Sequence, residues 1–511
     1  MKKAICVILS IVTVISLAAC GKNQSGGKNQ NGGKSAVSDQ TLTLLYSATD
    51  GVNPYTAKTE SNRRLCSLLF DPLVKVGEDY TTEMFLAENC TAEGNTVSVT
   101  LKSLNFSDGT AVTAADVAYS FSLAKASVTS GYASTLATVQ SAEARDGKTV
   151  VFTLTRNDPY AANLLTFPII KEGTSGRKDS DGVEYAPVGC GRYTENGGEF
   201  VRNDNYYGKK GAVKTIKLLS SPDGDSASHY VEVGATDLYF TDVSGGSITR
   251  MSGSRSEIDL NRLVYIGVNS SYGALSKREM RYAISSAIDR SQIVTSAYYG
   301  AATAANGFMN PAFSDAAATG SLKAAADTQI SIENLEKLGY NKKDEDGYAV
   351  TESGYRAAFS LLVNSDNVSR LSAARLIVTQ CKAAGIQITV EEEPFDKYSA
   401  RLSSGQFQLY LGETQMLPDM DVGGLTVPGG SAAYGVTETP AEGSSMTVSS
   451  ATAAFYSGQI NISALSGVLI TEMPQIPVCY RKGLIFYSDK IKSGVKGLYC
   501  DIYYSIADYN F

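Results

Sequence analysis

The chain has 511 residues, of which 43% are hydrophobic and 19% charged, with a formal net charge of −7. That acidic balance argues against nucleic acid as a partner, which would call for a basic face. The apolar content supports ordinary globular cores, and the length exceeds one domain, so two or three are expected.

Lys2 and Lys3 precede an apolar stretch from Ala4 to Ala19 that ends in small residues. The stretch is short for a membrane span and has the layout of an export signal. Its end, Leu17-Ala18-Ala19-Cys20, resembles the bacterial lipobox, in which the cysteine becomes the first mature residue and its thiol carries diacylglycerol. The resemblance implies a signal peptide over residues 1–20, lipidation at Cys20, and a protein held on the extracytoplasmic side of the cell membrane. Each buried methylene of such an anchor contributes about 0.8 kcal/mol. Residues 21–36 follow as a flexible linker. Gly21 to Ser35 contains only Gly, Asn, Gln, Ser and Lys, so ordering it would cost entropy with nothing to bury. Its r.m.s. span is roughly 22 Å.

"TLTLLYSA" (41–48) reads as a strand, and "NTVSVTLK" (95–102) and "KTVVFTLT" (148–155) alternate as half-buried antiparallel strands do. Between them, Asp108-Gly109 marks a turn, and Thr113 lies three residues before Asp116 in a capping-box pattern. Val117, Phe121 and Ala124 then share one helical face. Further on, 278–300 reads as one long helix with Met280, Ala283, Ile284, Ala287 and Ile288 on one face. A helix over 371–384 is ended by Gly385. "IQITVEEE" reads as a strand, "PFDKYSARLSSG" as a helix and "FQLYLGE" as a strand. That α-β-α-β run predicts a mostly parallel sheet with covering helices. "QIPVCYRKGLIFYS" is strand-like again.

Catalytic patterns are missing. His229 is the single histidine, and its place in "GDSASHYVEVG" suits a surface loop; one histidine also excludes His-rich metal sites within the chain. No GxSxG elbow or P-loop occurs, and Gly189-Cys190-Gly191 fails the dinucleotide pattern because position 194 is Thr. "KKDEDGYAVTES" (342–353) lacks the end carboxylates of a calcium loop and reads as a solvated turn. Cys66, Cys90, Cys190, Cys381, Cys479 and Cys500 are widely spaced with no CxxC; they would allow fifteen pairings, and Cys381 falls on an apolar helix face as a buried thiol. Neither cofactor nor metal is expected. Asp419 and Asp421 follow a predicted strand, where a carboxylate could meet a cationic ligand group or cap the next segment.

Four stretches resemble the family 5 extracellular solute-binding proteins of ABC importers, the oligopeptide/dipeptide-binding type. They are "LNFSDGTAVTAADVAYSF", "PVGCGRYTENGGEFVRNDNYYG" (with Arg192 where the family has proline), "KREMRYAISSAIDRSQIVTSAYYGAATAANGFMNP" and "LEKLGY" with its Asp-rich turn. The resemblance implies an α/β class II flytrap of two lobes with an additional inserted α+β domain. Lobe I would take 37–70, 188–262 and 478–511, the inserted domain 71–187, and lobe II 263–477.

The same resemblance implies a binding protein, not an enzyme. It would capture a small molecule or peptide by lobe closure, act as a monomer, and deliver its ligand to ABC permease and ATPase subunits. A ligand-sensing lipoprotein receptor with this fold is the alternative, and an anchored hydrolase the third. Ligand-binding residues carried over are Asp419, in the stretch 412–422 where relatives hold a peptide amino terminus, and Tyr480, matching a hinge-side aromatic. Met416 and Met420 replace the family's aromatics beside Asp419. Tyr434 is added from its place near the expected cleft.

Overall fold

The computed structural model describes residues 39–220, 229–230, 232–243, 253–317, 321–438 and 446–511. The leader, Cys20 and the linker lie outside the described residues. β1 (Gln40–Tyr46) buries Leu42 and Leu44 and leads to α1 (Glu60–Leu69). Four antiparallel strands follow: β2 (Ala87–Glu93), β3 (Thr96–Leu101), β4 (Val139–Ala144) and β5 (Thr149–Leu154), ordered β2-β3-β5-β4 in space. The two alternating stretches predicted as strands therefore pair directly, turning Val97, Val99, Val150 and Phe152 inward.

α2 (Ala114–Ala126) starts at the predicted capping box. Asp116 N donates to Thr113 Oγ1 at 3.4 Å and Thr113 N donates to Asp116 Oδ2 at 2.9 Å. Its apolar face seats Phe121 against Phe152 and Phe167, each ring edge-on to the other two.

β6 (Tyr193–Asn196), β7 (Glu199–Arg202) and β8 (Val213–Ser220) bring the chain back to β1 in the order β1-β8-β7-β6, with β1 and β8 parallel. The approach to β6 explains the GxG. A Cβ on Gly189 or on Gly191 would lie 2.3 Å from Leu69 backbone atoms, and Gly191 N donates to Leu69 O at 2.9 Å. Those glycines let two backbones touch.

The largest sheet has seven strands: β9 (Leu238–Thr241), β10 (Ser254–Val268), β11 (Ala302–Ala304), β12 (Ala358–Asn364), β13 (Gln387–Glu393), β14 (Leu409–Gln415) and β15 (Ile476–Tyr487). Their order is β9-β15-β10-β14-β12-β13, with β11 also on β15. Its helices are α3 (Arg278–Ala287), α4 (Arg290–Ala297), α5 (Val368–Ala383), α6 (Phe395–Ser403), α7 (Val448–Tyr456) and α8 (Ile462–Glu472).

Two expectations are corrected here. Only β12 pairs parallel, with β13 and β14; β9, β10 and β15 pair antiparallel, so the sheet is mixed. Helical crossovers α5 and α6 impose the parallel part; β15, reached from β14 through α7 and α8, runs the same way as β14 but is separated from it by the opposed β10. The helix expected over 278–300 is two helices. Ile288 is extended, and the Asp289 side chain accepts from Gln292 N at 2.8 Å, capping a new helix. Arg290 then turns inward, fully buried, donating to the Pro477 and Ser285 carbonyls at 2.9 and 3.1 Å. Burial pushes its pKa down to about 10.

The period of two divides the sheet's faces. Val264, Ile266, Leu361, Val363, Leu409 and Leu411 pack with α3, α4 and α5. Leu263, Tyr265, Leu362, Tyr410 and Tyr480 face the opposite way, toward α7, α8 and Tyr80. The boundaries expected at 262/263 and 477/478 fall inside β10 and β15, which run side by side as neighbours. All six described cysteines are free thiols.

Candidate functional site

The carboxyl ends of β12 and β14 carry a charge cluster that no local motif announces. Glu413 lies near the end of β14, Arg262 on β10 and Arg481 on β15. Arg370 comes from the first turn of α5, whose N-cap Asn367 accepts from Arg370 N at 2.9 Å. Asp242 follows β9 directly. Arg481, whose side chain is 2% exposed, holds Glu413 Oε1 at 3.0 Å and donates to the Asp242 carbonyl. Arg262 holds Asp242 Oδ2 at 3.0 Å and lies 3.9 Å from Glu413; Arg370 Nε lies 3.9 Å from Glu413 Oε2.

Among the described residues, three guanidinium groups thus meet two carboxylates, with one positive charge in excess. Glu413 and Asp242 hold the Arg481 pKa up against the effect of its burial. Among the described residues, Arg370 Nε, Arg481 Nε, Glu413 Oε2 and the hydroxyl of buried Tyr298 have no hydrogen-bond partner. Such spare capacity is costly unless something completes it. The cluster also stands at the positive end of the α5 dipole and beyond the carboxyl ends of parallel strands, where α/β sheets bind ligands.

Asp419 lies elsewhere. It is 2% exposed, its Oδ1 accepts from Asp421 N at 3.1 Å, and its carboxyl lies against that of Asp158. Burial and the carboxylates of Asp158 and Asp421 hold its pKa well above the usual range, and burial raises that of Asp158 too. Beside the pair, Arg156 holds Asp421 at 2.6 Å and stacks 3.6 Å from the Tyr456 ring centre. Those three residues, with Gly423, Gly424, Val427 and Pro428, help wall a cavity of about 740 Å³.

Tyr480 is fully buried, its hydroxyl donating to Phe308 O at 2.6 Å. Tyr434 is half-buried, edge-on to Tyr410 at 6.2 Å. The structure does not bring these two together with Asp419 in the charge cluster. His229 is exposed, 4.0 Å from Glu232, and no group of three metal-ligating side chains occurs among the described residues. Sequence reasoning missed Arg262, Arg370, Arg481, Asp242 and Glu413. The available signal was a lone charge inside an apolar strand, as with Arg481 in "IPVCYRKGLIFY".

Comparison with known proteins places the chain among relatives. Residues 81–431 match the model of bacterial extracellular solute-binding proteins, family 5 Middle. Protein XP55 of Streptomyces lividans is 29% identical over 68% of this chain and 66% of its own length. The oligopeptide-binding protein AppA of Bacillus subtilis is 23% identical over 64% of each chain. Both alignments thus span just under two thirds of the relative. The crystal structure of a nickel ABC transporter from Bacillus halodurans superposes with a TM-score of 0.71 at 18% identity, covering 89% of this chain and 97% of that one. The fold is accordingly the expected two-lobe α/β flytrap, seen in these solved structures of ABC-transporter binding proteins. The chain belongs to the family 5 bacterial extracellular solute-binding proteins.

Proposed function

We propose that this protein is the membrane-tethered, extracytoplasmic binding component of an ABC importer, and that it captures peptides or similar small solutes carrying a carboxylate. The observation that carries this reading is the cluster of Arg262, Arg370 and Arg481 with Asp242 and Glu413. In the proposed division, lobe I takes 37–70, 188–262 and 478–511, lobe II takes 263–477, and 71–187 is inserted. Asp242 then belongs to lobe I and Glu413 to lobe II, with Arg262 and Arg481 at the passage between them. A ligand that satisfies unused donors on both sides favours the closed arrangement, because it binds that state better than the open one. The closed form would dock on the permease, and ATP hydrolysis would belong to other chains.

The net positive charge and the helix terminus favour an anionic group on the ligand. The test is calorimetry with a short-peptide library and the C-terminal amide of each binder, on the wild type and on Arg370→Gln. Amidation and the substitution are each expected to weaken binding about 10- to 100-fold, the range of one charge-assisted hydrogen bond. Equal affinity for acid and amide would remove the carboxylate from the reading; the absence of any binder would remove the peptide.

The tether belongs to the same proposal. A lipid at Cys20 and a flexible linker over 21–36 keep the binder near a fixed permease and set its effective concentration. Cys20→Ala is expected to move the protein from the membrane to the soluble fraction with ligand affinity intact. Continued membrane association would refute the lipid anchor.

A further inference from the structure

The contact between Asp158 and Asp419 joins two segments far apart in sequence. Asp158 follows β5, and Asp419 lies in the loop after β14. Each is 2% exposed. One oxygen of each is taken by a backbone amide: Tyr160 N donates to Asp158 Oδ1 at 2.8 Å, and Asp421 N to Asp419 Oδ1 at 3.1 Å. The remaining oxygen of each is buried, and no other donor reaches it. Two acceptors without a donor hold together only if a hydrogen lies between them, since two adjacent buried carboxylates repel. The seam around them is otherwise well made. Asn163 Nδ2 donates to Pro418 O at 3.1 Å and to Tyr80 O at 2.8 Å, and Arg156 spans to Asp421.

We propose that Asp158 and Asp419 form a proton-held clasp, a single shared hydrogen joining segment 156–163 to loop 416–421, so that the two part as external pH rises. The step is one deprotonation: the O–H bond of the shared carboxyl breaks, the proton goes to solvent, and two carboxylates remain face to face. The charged and titratable groups around them are Arg156 and Tyr160 on the same segment, Asp421 on the facing loop and Tyr456 on α7. Arg156 is the only cation among them, and Asp421 already holds it at 2.6 Å. Its charge is thus divided between Asp421 and the pair, and offsets a second negative charge there only in part. Loop 416–421 continues into Gly423, Gly424, Val427 and Pro428, so parting the clasp would also open the 740 Å³ cavity that these residues wall.

The experiment compares the full wild-type protein with Asp158→Asn and Asp419→Asn, each of which replaces the shared hydrogen by an amide hydrogen. Infrared spectra at neutral pH are expected to show a protonated-carboxyl band in the wild type that both variants lose. Melting is then followed from about pH 5 to about pH 10. Above the point where the pair titrates, the wild type is expected to lose about 1–2 °C per pH unit relative to either variant, the shift that one proton gives a chain of this size. Hydrogen exchange in 416–430 is expected to rise over the same range beyond the intrinsic rate, and only in the wild type. A neutral-pH spectrum without the band overturns the clasp even if neither variant folds. Parallel melting profiles in wild type and variants overturn it too.

Discussion

Arg481 on β15 reaches across β10 to hold Glu413 on β14 at 3.0 Å, with its own side chain almost sealed from water. A buried ion pair of this kind contributes little net stability compared with an apolar pair, but removing one partner strands the other. Arg481→Leu is therefore expected to destabilise by about 3 kcal/mol or more. Arg481→Leu with Glu413→Leu is expected to recover part of that loss. Denaturant unfolding of the two single variants and the double gives the coupling energy. Additive losses would mean that the two side chains do not act as a pair.

Asp501 anchors the C-terminal segment. It accepts from Lys75 Nζ at 2.8 Å, from Ser67 Oγ at 2.7 Å and from Tyr503 N at 3.0 Å, with Arg192 3.4 Å away. Burial works against its charge, but Lys75 and Arg192 prevail and hold its pKa at about 2, below the ordinary 3.8. A carboxyl depressed by folding contributes stability that is complete above pH 3.8 and disappears as pH falls through about 2. The amount is about 2 kcal/mol. Acid unfolding of Asp501→Asn is expected to lose this part of the pH dependence. It is also expected to be less stable at neutral pH, because Lys75 and Arg192 lose their carboxylate.

Gly191 has no room for a side chain: a Cβ would sit 2.3 Å from the Leu69 carbonyl carbon. Gly191→Ala is expected to push α1 away from the approach to β6, costing about 2 kcal/mol or more, the range of overpacking against backbone. Gly197→Ala serves as a comparison, since open space surrounds that position and only its positive φ of 61° opposes the change. It is expected to cost about 1 kcal/mol. Equal melting temperatures in the two variants would contradict the close approach.

The Tyr480 hydroxyl is spent on the Phe308 carbonyl inside the core. Tyr480→Phe is expected to cost about 1–3 kcal/mol of stability through the stranded acceptor. If packing is its whole role, ligand affinity stays the same. A loss of affinity at unchanged stability would mean that this hydroxyl reaches ligand in another lobe arrangement.

Much of the architecture was legible locally. The Thr113–Asp116 capping box, the alternation in β3 and β5, the apolar face of α2 and the buried thiol of Cys381 depend on neighbours within a few positions. A period of two or 3.6 reports those directly. What misled was also local: an unbroken apolar face over 278–300 hid the cap at Asp289, and α-β-α-β order says nothing of two long antiparallel strands arriving from elsewhere.

The sequence by itself thus determined many of the elements, their inward faces and the family to which the chain belongs. Tertiary structure alone decided the sites. Arg262, Arg370 and Arg481 meet Asp242 and Glu413 because β15 and β10 insert beside β14 in one particular register. Asp419 faces Asp158 because the loop after β14 folds onto the segment after β5. Charge interactions act through space at a few ångströms. Strand order and register set those distances, and no local period records them.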